Sequence, residues 1–266
     1  LGFIDFAGSS VVHSVGGWVA LAVLLIIGNR TGRFQDGRKR TFQGSNTPLA
    51  ALGALILWFG WFGFNGGANG AMDLRIPLIL INTFLAASAG LILSSVMGIY
   101  VMKKPEPMFM ITGPIAGLVS ITASCAYVDP TEAIIIGAIG GIVSGSGILL
   151  LEKIKVDDVV SAVPVHLFAG TWATIAVAIF GDFEAMGIER PMIDQLYIQL
   201  IGIVSVGAFC FISAFTIFFM INLLFRLRVN KIEEDMGLNI SEHNASTATH
   251  DLLKVLNKQQ ETDDFS

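Results

Sequence analysis

The stretch IDFAGSSVVHSVGGWVALAVLLIIG, Ile4–Gly28, decides the fold. After Asp5 it stays mostly apolar for more than twenty residues. A helix of that length crosses the hydrocarbon core of a bilayer, which is roughly 30 Å thick. His13 lies near the middle of the stretch, and an ionisable side chain is costly at that depth, so it indicates a functional site by default. We therefore predict a membrane-spanning helix with a functional histidine.

A second stretch, DVVSAVPVHLFAGTWATIAVAIFG at Asp158–Gly181, has the same pattern. In each stretch a histidine follows an aspartate by eight residues, as His13 follows Asp5 and His166 follows Asp158. The rise of a helix would place each imidazole about 12 Å deeper than its aspartate. Two spans with the same polar spacing predict paired imidazoles in the membrane.

The composition indicates an all-α polytopic membrane protein. Hydrophobic residues make up 53% of the chain and charged residues 14%, against about 25% charged in soluble domains. The mean hydropathy is +0.71. The two cysteines lie within apolar segments, so neither a disulfide framework nor a metal-type spacing is indicated. We expect no enzyme, no cofactor and no metal, and the net charge of −5 gives no indication of nucleic-acid binding.

Apolar segments and basic loops together predict the topology. Seven apolar segments can be counted, at 6–28, 48–68, 76–102, 108–128, 131–151, 163–181 and 193–225. Lys and Arg are concentrated in every second connection, which predicts an outer N-terminal end for the first span and a cytoplasmic C-terminal tail. The two histidine spans then run in opposite directions, as expected for an inverted repeat whose sites meet near the midplane.

Two further patterns each have two interpretations. Glycines four residues apart on the fourth and fifth segments allow close helix packing, either within one protomer or at an oligomer interface. They are Gly113, Gly117, Gly137, Gly141 and Gly145. An aromatic cluster ends the second segment, either as an interfacial belt or as a vestibule that attracts a cation. It consists of Trp58, Phe59, Trp61, Phe62 and Phe64.

Composition changes after Arg226, where the chain becomes polar and charged. We predict a transmembrane domain at 1–228 and a cytoplasmic tail at 229–266. Cap candidates at 246–249 precede an apolar cluster at 252–256, which indicates a short amphipathic helix in this tail. The tail is either frayed or a linker into a further domain. Since the first residue is not Met and leads directly into a span, we expect the chain to be a fragment at its N-terminal end.

Five motifs together resemble the ammonium transporter (Amt/Mep/Rh) family. They are DFAGSSVVH at 5–13, WFGFNGGANG at 61–70, GPIAGLVSITASCAYV at 113–128, VDDVVSAVPVH at 156–166, and RLRV with EEDMGLNISEH within 226–243. The resemblance implies eleven spans, built as an inverted five-plus-five repeat and a final long helix. This chain would supply spans five to eleven, seven transmembrane helices, without the first four. It also implies a homotrimer in the plasma (inner) membrane.

The resemblance assigns site residues one by one. His13 and His166 are similar to the paired imidazoles of the substrate pore, and Asp5 to the aspartate that orders the recruitment of ammonium. Trp61 and Phe64 resemble the aromatics of the vestibule and gate. Thr122 resembles a polar group near the mouth of the pore. Asp158 would be the inner structural counterpart of Asp5, and we expect both aspartates to act mainly as helix caps.

Several positions depart from the family pattern. Ala68 stands where the family has its recruitment serine, which removes a hydroxyl that could accept a hydrogen bond from ammonium. Ser9 and Ser161 replace a glycine and a second aspartate, and Pro164 and Leu167 flank the inner histidine where glycines are common. We expect weaker external capture of ammonium with the histidine pair intact.

Three functions are open at this point. The first is an ammonium or ammonia channel or transporter, and the second is an ammonium sensor whose membrane domain controls a fused signalling module. A PII-type regulator or that fused domain would act at the C-terminal tail. The third is an intramembrane metalloenzyme that uses His13 and His166 as zinc ligands, although no third ligand with suitable spacing is visible.

Overall fold

The computed structural model describes residues 1–35, 38–42, 44 and 46–245. Nine helices are present in this part of the chain: α1 (Ser9–Ile27), α2 (Thr47–Ala68), α3 (Ile76–Met102), α4 (Pro107–Thr122), α5 (Pro130–Lys153), α6 (Val163–Phe180), α7 (Met192–Leu224), α8 (Lys231–Met236) and α9 (Leu238–Ser241). Between α1 and α2, the two-residue strands β1 (Phe34–Gln35) and β2 (Arg38–Lys39) pair antiparallel. The all-α fold predicted from the sequence is confirmed.

Most of the apolar segments have the helical bounds that the sequence predicted, to within about three residues. Six helices, α1, α2, α3, α5, α6 and α7, are long and apolar enough to cross a membrane. The fourth segment is different, because its helix ends at Thr122 although the apolar sequence continues to Val128. With 16 residues, α4 is about 24 Å long, which is shorter than the hydrocarbon core of a bilayer.

The early end of α4 follows from the way its last carbonyl groups are satisfied. A helix leaves its final four carbonyl groups without partners inside the helix. Here the carbonyl of Thr122 accepts from the backbone N–H of Ala7 at 3.0 Å, and that of Ala123 accepts from Phe6 at 3.0 Å. The N-terminal segment therefore takes the place of a further helical turn, in contact with the buried end of α4.

Helices α3, α4 and α5 pack closely because glycines remove side chains from their crossings. The backbone of Ala86 on α3 lies against both Gly117 of α4 and Gly137 of α5, where a Cβ atom would overlap its carbonyl oxygen. Gly141 approaches Gly90 in the same way. These small residues therefore serve packing within the chain, which was one of the two interpretations of their spacing.

The chain divides into two compact units, with the boundary between Met220 and Ile221. In the first unit, most of α7 is exposed and its buried polar residues are Gln195 and Gln199. In the second unit, Asn230 caps α8 through a reciprocal pair of hydrogen bonds with Glu233. The tail helix predicted at 252–256 lies outside the described residues.

Candidate functional site

The two histidines lie side by side in the first unit. Both α1 and α6 open with a wide π-helical turn, Ser9–Ser14 and Val163–Phe168, and each turn carries its histidine. The centroids of the His13 and His166 rings are 5.4 Å apart, and the ring planes are inclined by 18°. The two rings are therefore stacked, with His13 buried and His166 partly exposed.

Each of the two aspartates caps the turn that follows it. The carboxylate of Asp5 accepts from the backbone N–H groups of Ser9 (2.7 Å), Ser10 (2.8 Å) and Val11 (3.0 Å). Capping of this kind satisfies donors that a helix start leaves free. Burial raises the pKa of the Asp5 carboxyl above its ordinary value, although the backbone N–H donors act in the opposite direction.

Asp158 repeats this arrangement at the start of α6. Its carboxylate accepts from the N–H of Ala162 at 3.0 Å and from that of Val163 at 2.7 Å. Burial raises its pKa as well, again opposed by the backbone donors. Three residues after each aspartate the backbone turns left-handed, at Gly8 with φ 111° and at Ser161 with φ 59°. The two helix starts thus share a local fold, although serine strains the left-handed turn more than glycine does.

Two glycines bring the histidine helices together. Gly17 lies four residues after His13, and a Cβ atom there would be 2.5 Å from the backbone nitrogen of Leu167. Gly170 lies four residues after His166, and a Cβ atom there would be 2.6 Å from the Ser14 hydroxyl. Each glycine therefore contacts the residue after the opposite histidine. These two glycines were not among the predicted site residues, although their H-x3-G spacing repeats in the sequence.

A pair of hydroxyl groups also joins these helices. The hydroxyls of Ser10 on α1 and Thr174 on α6 are 2.7 Å apart, and both residues are buried. Thr174 donates to the carbonyl of Gly170 at 2.9 Å, so its oxygen accepts the proton of Ser10. No pattern in the sequence indicated this contact.

Aromatic side chains of α2 surround His13. Trp61 is stacked on His13 with centroids 4.9 Å apart and planes inclined by 14°, and the Phe64 centroid lies 5.6 Å from the same imidazole. The indole N–H of Trp61 donates to the Thr122 hydroxyl at 2.9 Å. Since Thr122 also donates to the Leu118 carbonyl at 2.7 Å, its hydroxyl is engaged in both directions.

The rest of the aromatic cluster lies elsewhere. Trp58 contacts Phe84, with centroids 5.7 Å apart, and Phe59 is 78% exposed. Phe62 lines an apolar groove of about 620 Å³ between α2 and α3. Ala68 is exposed at the last position of α2. The cluster predicted from the sequence therefore has two parts, and only Trp61 and Phe64 contact an imidazole.

The buried imidazole of His13 carries an unsatisfied polar atom. In the part of the chain that the structure describes, no hydrogen-bond partner is found for Nε2 of His13. A neutral imidazole has one donor and one acceptor nitrogen, so a small polar molecule that reaches Nε2 would find an unsatisfied partner. Among these described residues, no group of three histidine, cysteine or carboxylate side chains could hold a metal ion.

An ion cluster lies between the end of α1 and the start of α6. The guanidinium of Arg30 donates to both carboxylate oxygens of Asp157, at 2.7 and 2.8 Å. Arg33 donates to Asp157 at 3.3 Å and to Glu152 at 3.0 Å. Burial alone would raise the pKa of Asp157, but hydrogen bonds and charge from Arg30 outweigh it and lower this pKa below its ordinary value.

Comparison with known proteins identifies the family of this chain. A family model described as Ammonium Transporter Family matches residues 1–248. Ammonium transporter Amt2 of Archaeoglobus fulgidus is 41% identical over 256 residues, which cover 92% of this chain and 55% of that protein. The chain spans about half the length of the curated relatives it matches.

Solved structures give the same result. A structure described as a sensor Amt protein has a TM-score of 0.87 at 39% identity, and the match covers 91% of this chain and 60% of that one. Mep2 of Saccharomyces cerevisiae has a TM-score of 0.79 at 26% identity, with 87% of this chain and 55% of that one covered. Six helices of membrane-spanning length and a family match over most of its residues make this chain a multi-pass membrane protein that belongs to the ammonium transporter family.

Proposed function

We propose that this chain carries part of the pore of an ammonium transporter or channel, in which ammonia, with or without a relayed proton, moves through a hydrophobic pore lined by His13 and His166. The observation that supports this proposal best is the stacked pair of imidazoles, 5.4 Å apart between centroids. The unpartnered Nε2 of His13 adds to it, because a buried polar atom without a partner is costly unless a substrate or water can reach it.

The chemistry of ammonium explains why two imidazoles suit this task. Ammonium is a cation at neutral pH, and burying an unpaired charge costs several kcal/mol or more. An apolar pore is therefore a barrier to the ion and much less so to neutral ammonia. A pair of imidazoles can offer a donor and an acceptor to ammonia and relay a proton. Two adjacent positive charges repel each other, which disfavours double protonation of the pair.

Side chains at the outer mouth of the pore would recruit and admit the substrate. The Trp61 and Phe64 rings next to His13 can attract a cation through their faces. We assign Thr122 to orienting Trp61 because its hydroxyl is already engaged. Ala68 has no hydroxyl to offer, so we expect capture of ammonium to be weaker than with a serine. Asp5 would act through the turn that it caps.

The remaining assignments concern topology and assembly. We assign 1–228 to the transporter domain and 229–266 to a cytoplasmic tail, which the distribution of Lys and Arg among the loops supports. The plasma membrane and a homotrimer follow from the family resemblance. A PII-type regulator or a fused signalling domain would act at the tail.

An ammonium sensor is the second candidate function. One solved relative with a TM-score of 0.87 is described as a sensor Amt protein. The polar sequence from Asn244 onward and the alanine at position 68 are consistent with a linker and with weaker capture. The coding sequence beyond Ser266 separates the two functions, because a signalling domain encoded there favours the sensor and an early stop codon favours the transporter.

Uptake of labelled methylammonium by the full-length protein in proteoliposomes tests the transport proposal. We expect His13→Ala and His166→Ala each to change uptake strongly, since either removes half of the pair. His243→Ala is a matched control, because His243 is exposed in the second unit. Wild-type uptake in both pore variants would show that the pair has no part in transport. No uptake by the wild type, together with ammonium binding, would favour the sensor.

A further inference from the structure

A buried carboxamide holds the segment that leads into α1. The side chain of Gln199, on α7, is fully buried. Its Oε1 accepts from the backbone N–H of Ile4 at 2.9 Å, and its Nε2 donates to the carbonyl of the same residue at 2.7 Å. Nε2 also donates to the carbonyl of Thr174 on α6 at 3.1 Å. Ile4 is therefore held on both its polar backbone groups, directly before the capping Asp5.

A second carboxamide holds the segment that leads into α6. Asn29 lies just after the end of α1, and its Oδ1 accepts from the backbone N–H of Asp157 at 3.0 Å. Its Nδ2 donates to the carbonyl of Lys155 at 2.9 Å. Asp157 directly precedes the capping Asp158. The residue before each capping aspartate is thus bound by a carboxamide from elsewhere in the chain.

The two contacts are reciprocal between the histidine helices. Asn29 follows α1, which carries His13, and binds the segment that leads into α6. Gln199 follows α6, which carries His166, and binds the segment that leads into α1. A carboxamide suits both positions because it combines an acceptor and a donor at its tip. A carboxylate of the same size would lose the donor and place its oxygens against backbone carbonyls.

We propose that Asn29 and Gln199 are positioning residues for the histidine pair, each fixing the start of the opposite histidine helix. Each carboxamide binds the segment that ends in the capping aspartate, the aspartate caps the π-helical turn, and the turn carries the imidazole. As far as the effect on transport is concerned, this inference rests on the proposed function. The structural part does not depend on it.

The test uses Gln199→Glu and Asn29→Asp in the full-length protein. Asn82→Asp is the control matched to Gln199→Glu, since both side chains are fully buried. Its amide donates to the carbonyls of Cys125 at 3.0 Å and Val128 at 2.8 Å, in a connection that leads to no histidine helix. The control therefore reports the general cost of converting a buried carboxamide to a carboxylate.

Hydrogen–deuterium exchange measures the positioning directly. Gln199→Glu is expected to raise exchange at the capped N–H groups of Ser9 and Ser10, and Asn29→Asp at those of Ala162 and Val163. The control is expected to leave the start of α6 at the wild-type rate and to raise exchange at the start of α1 less than Gln199→Glu does, since the connection that Asn82 binds contacts Phe6 through the ring of Tyr127. Unchanged exchange at these helix starts, or an equal rise in all three variants, would overturn the proposal. If Gln199→Glu does not fold, Gln199→Asn, whose shorter carboxamide cannot span the same distance, must show the same local rise.

Kinetics of methylammonium uptake give a second measurement. With the start of α1 loosened on the outer side, Gln199→Glu is expected to raise KM about tenfold, the equivalent of ~1.4 kcal/mol. Asn29→Asp acts at the start of α6 on the inner side, and is expected to lower the maximal rate about tenfold with KM within about twofold of wild type. Parallel losses in the control would overturn the proposal. A wild-type protein without uptake would refute the transport function, and hydrogen exchange would still decide the positioning role.

Discussion

Substituting Gly17 by alanine tests whether the close approach of α1 and α6 determines the relative position of the two imidazoles. A Cβ atom at this position would lie 2.5, 2.6 and 2.8 Å from the backbone nitrogen, Cβ and Cα of Leu167. Ordinary contacts begin at 3.4 Å, so α1 and α6 would have to separate locally by about 0.9 Å, since a packed interior has no free space to absorb the methyl group. No flexible side-chain tip is involved, because two of the three atoms belong to the backbone.

The expected magnitude combines two opposing effects. Overpacking costs typically 1–3 kcal/mol, whereas replacing glycine by alanine within a helix gains about 1 kcal/mol. We expect a net loss of up to about 2 kcal/mol in the free energy of unfolding. The effect on uptake should be larger, about tenfold or more, because a shift of ~1 Å between positioned groups can cost up to ~10²-fold in rate.

The neighbouring Gly16 supplies the control. It is exposed on the same helix, and a Cβ atom there would have no heavy atom of the described residues within 4 Å. Gly16→Ala should therefore gain helix propensity and keep uptake close to wild type. Methylammonium uptake and thermal unfolding in detergent are measured for both variants. Equal uptake in Gly17→Ala and Gly16→Ala would refute the idea that contact at Gly17 sets the pair.

Further predictions concern the groups around the pair. The stabilisation from Asp157 is complete above the unfolded carboxyl pKa of 3.8 and is lost as the pH falls through the lower folded value. Thermal unfolding of Asp157→Asn, measured between about pH 3 and 7, should thus lack this loss of stability at low pH. If the stability of the variant falls at low pH as in the wild type, the role of Arg30 is contradicted. Thr122→Val should leave the Trp61 N–H unpaired, which should lower the free energy of unfolding by ~1–3 kcal/mol and reduce uptake. Thr122→Ser keeps the hydroxyl and should therefore keep wild-type stability and uptake. Ser161→Gly should raise the unfolding free energy by up to ~1 kcal/mol by relieving the left-handed turn, and a lower melting temperature would count against that strain.

The sequence predicted the fold class and the histidine pair for a definite physical reason. The length of an apolar segment directly indicates whether it can cross a membrane. The spacing of Asp5 to His13 is repeated from Asp158 to His166, and this repeat can be read from the sequence. The basic loops predict opposite membrane directions for the two spans, and this stays a prediction. These features depend on local sequence or on counting, so they could be predicted without coordinates.

Other features depend on contacts between distant segments. The end of α4 at Thr122 is set by N–H groups of the N-terminal segment, more than one hundred residues away in sequence. The carboxamides of Asn29 and Gln199 bind the segments before the capping aspartates, 126 to 195 residues distant, and a backbone partner leaves no trace in composition. Thr122 was expected as a polar group near the mouth of the pore, and only the packed structure could reveal that its hydroxyl accepts from the Trp61 indole.

Close contact at Gly17 and Gly170 also limits how the two halves of the site can move. Both contacts lie within about one helical turn of the imidazoles, so sliding of one helix along the other would drive backbone into backbone. Rotation about the crossing point would be the permitted motion, with the crossing as its pivot. A tilt of roughly 5° would displace a helix end ~12 Å away by about 1 Å and leave the rings nearly still. Conformational change would then open or close the mouths of the pathway while its centre stays fixed.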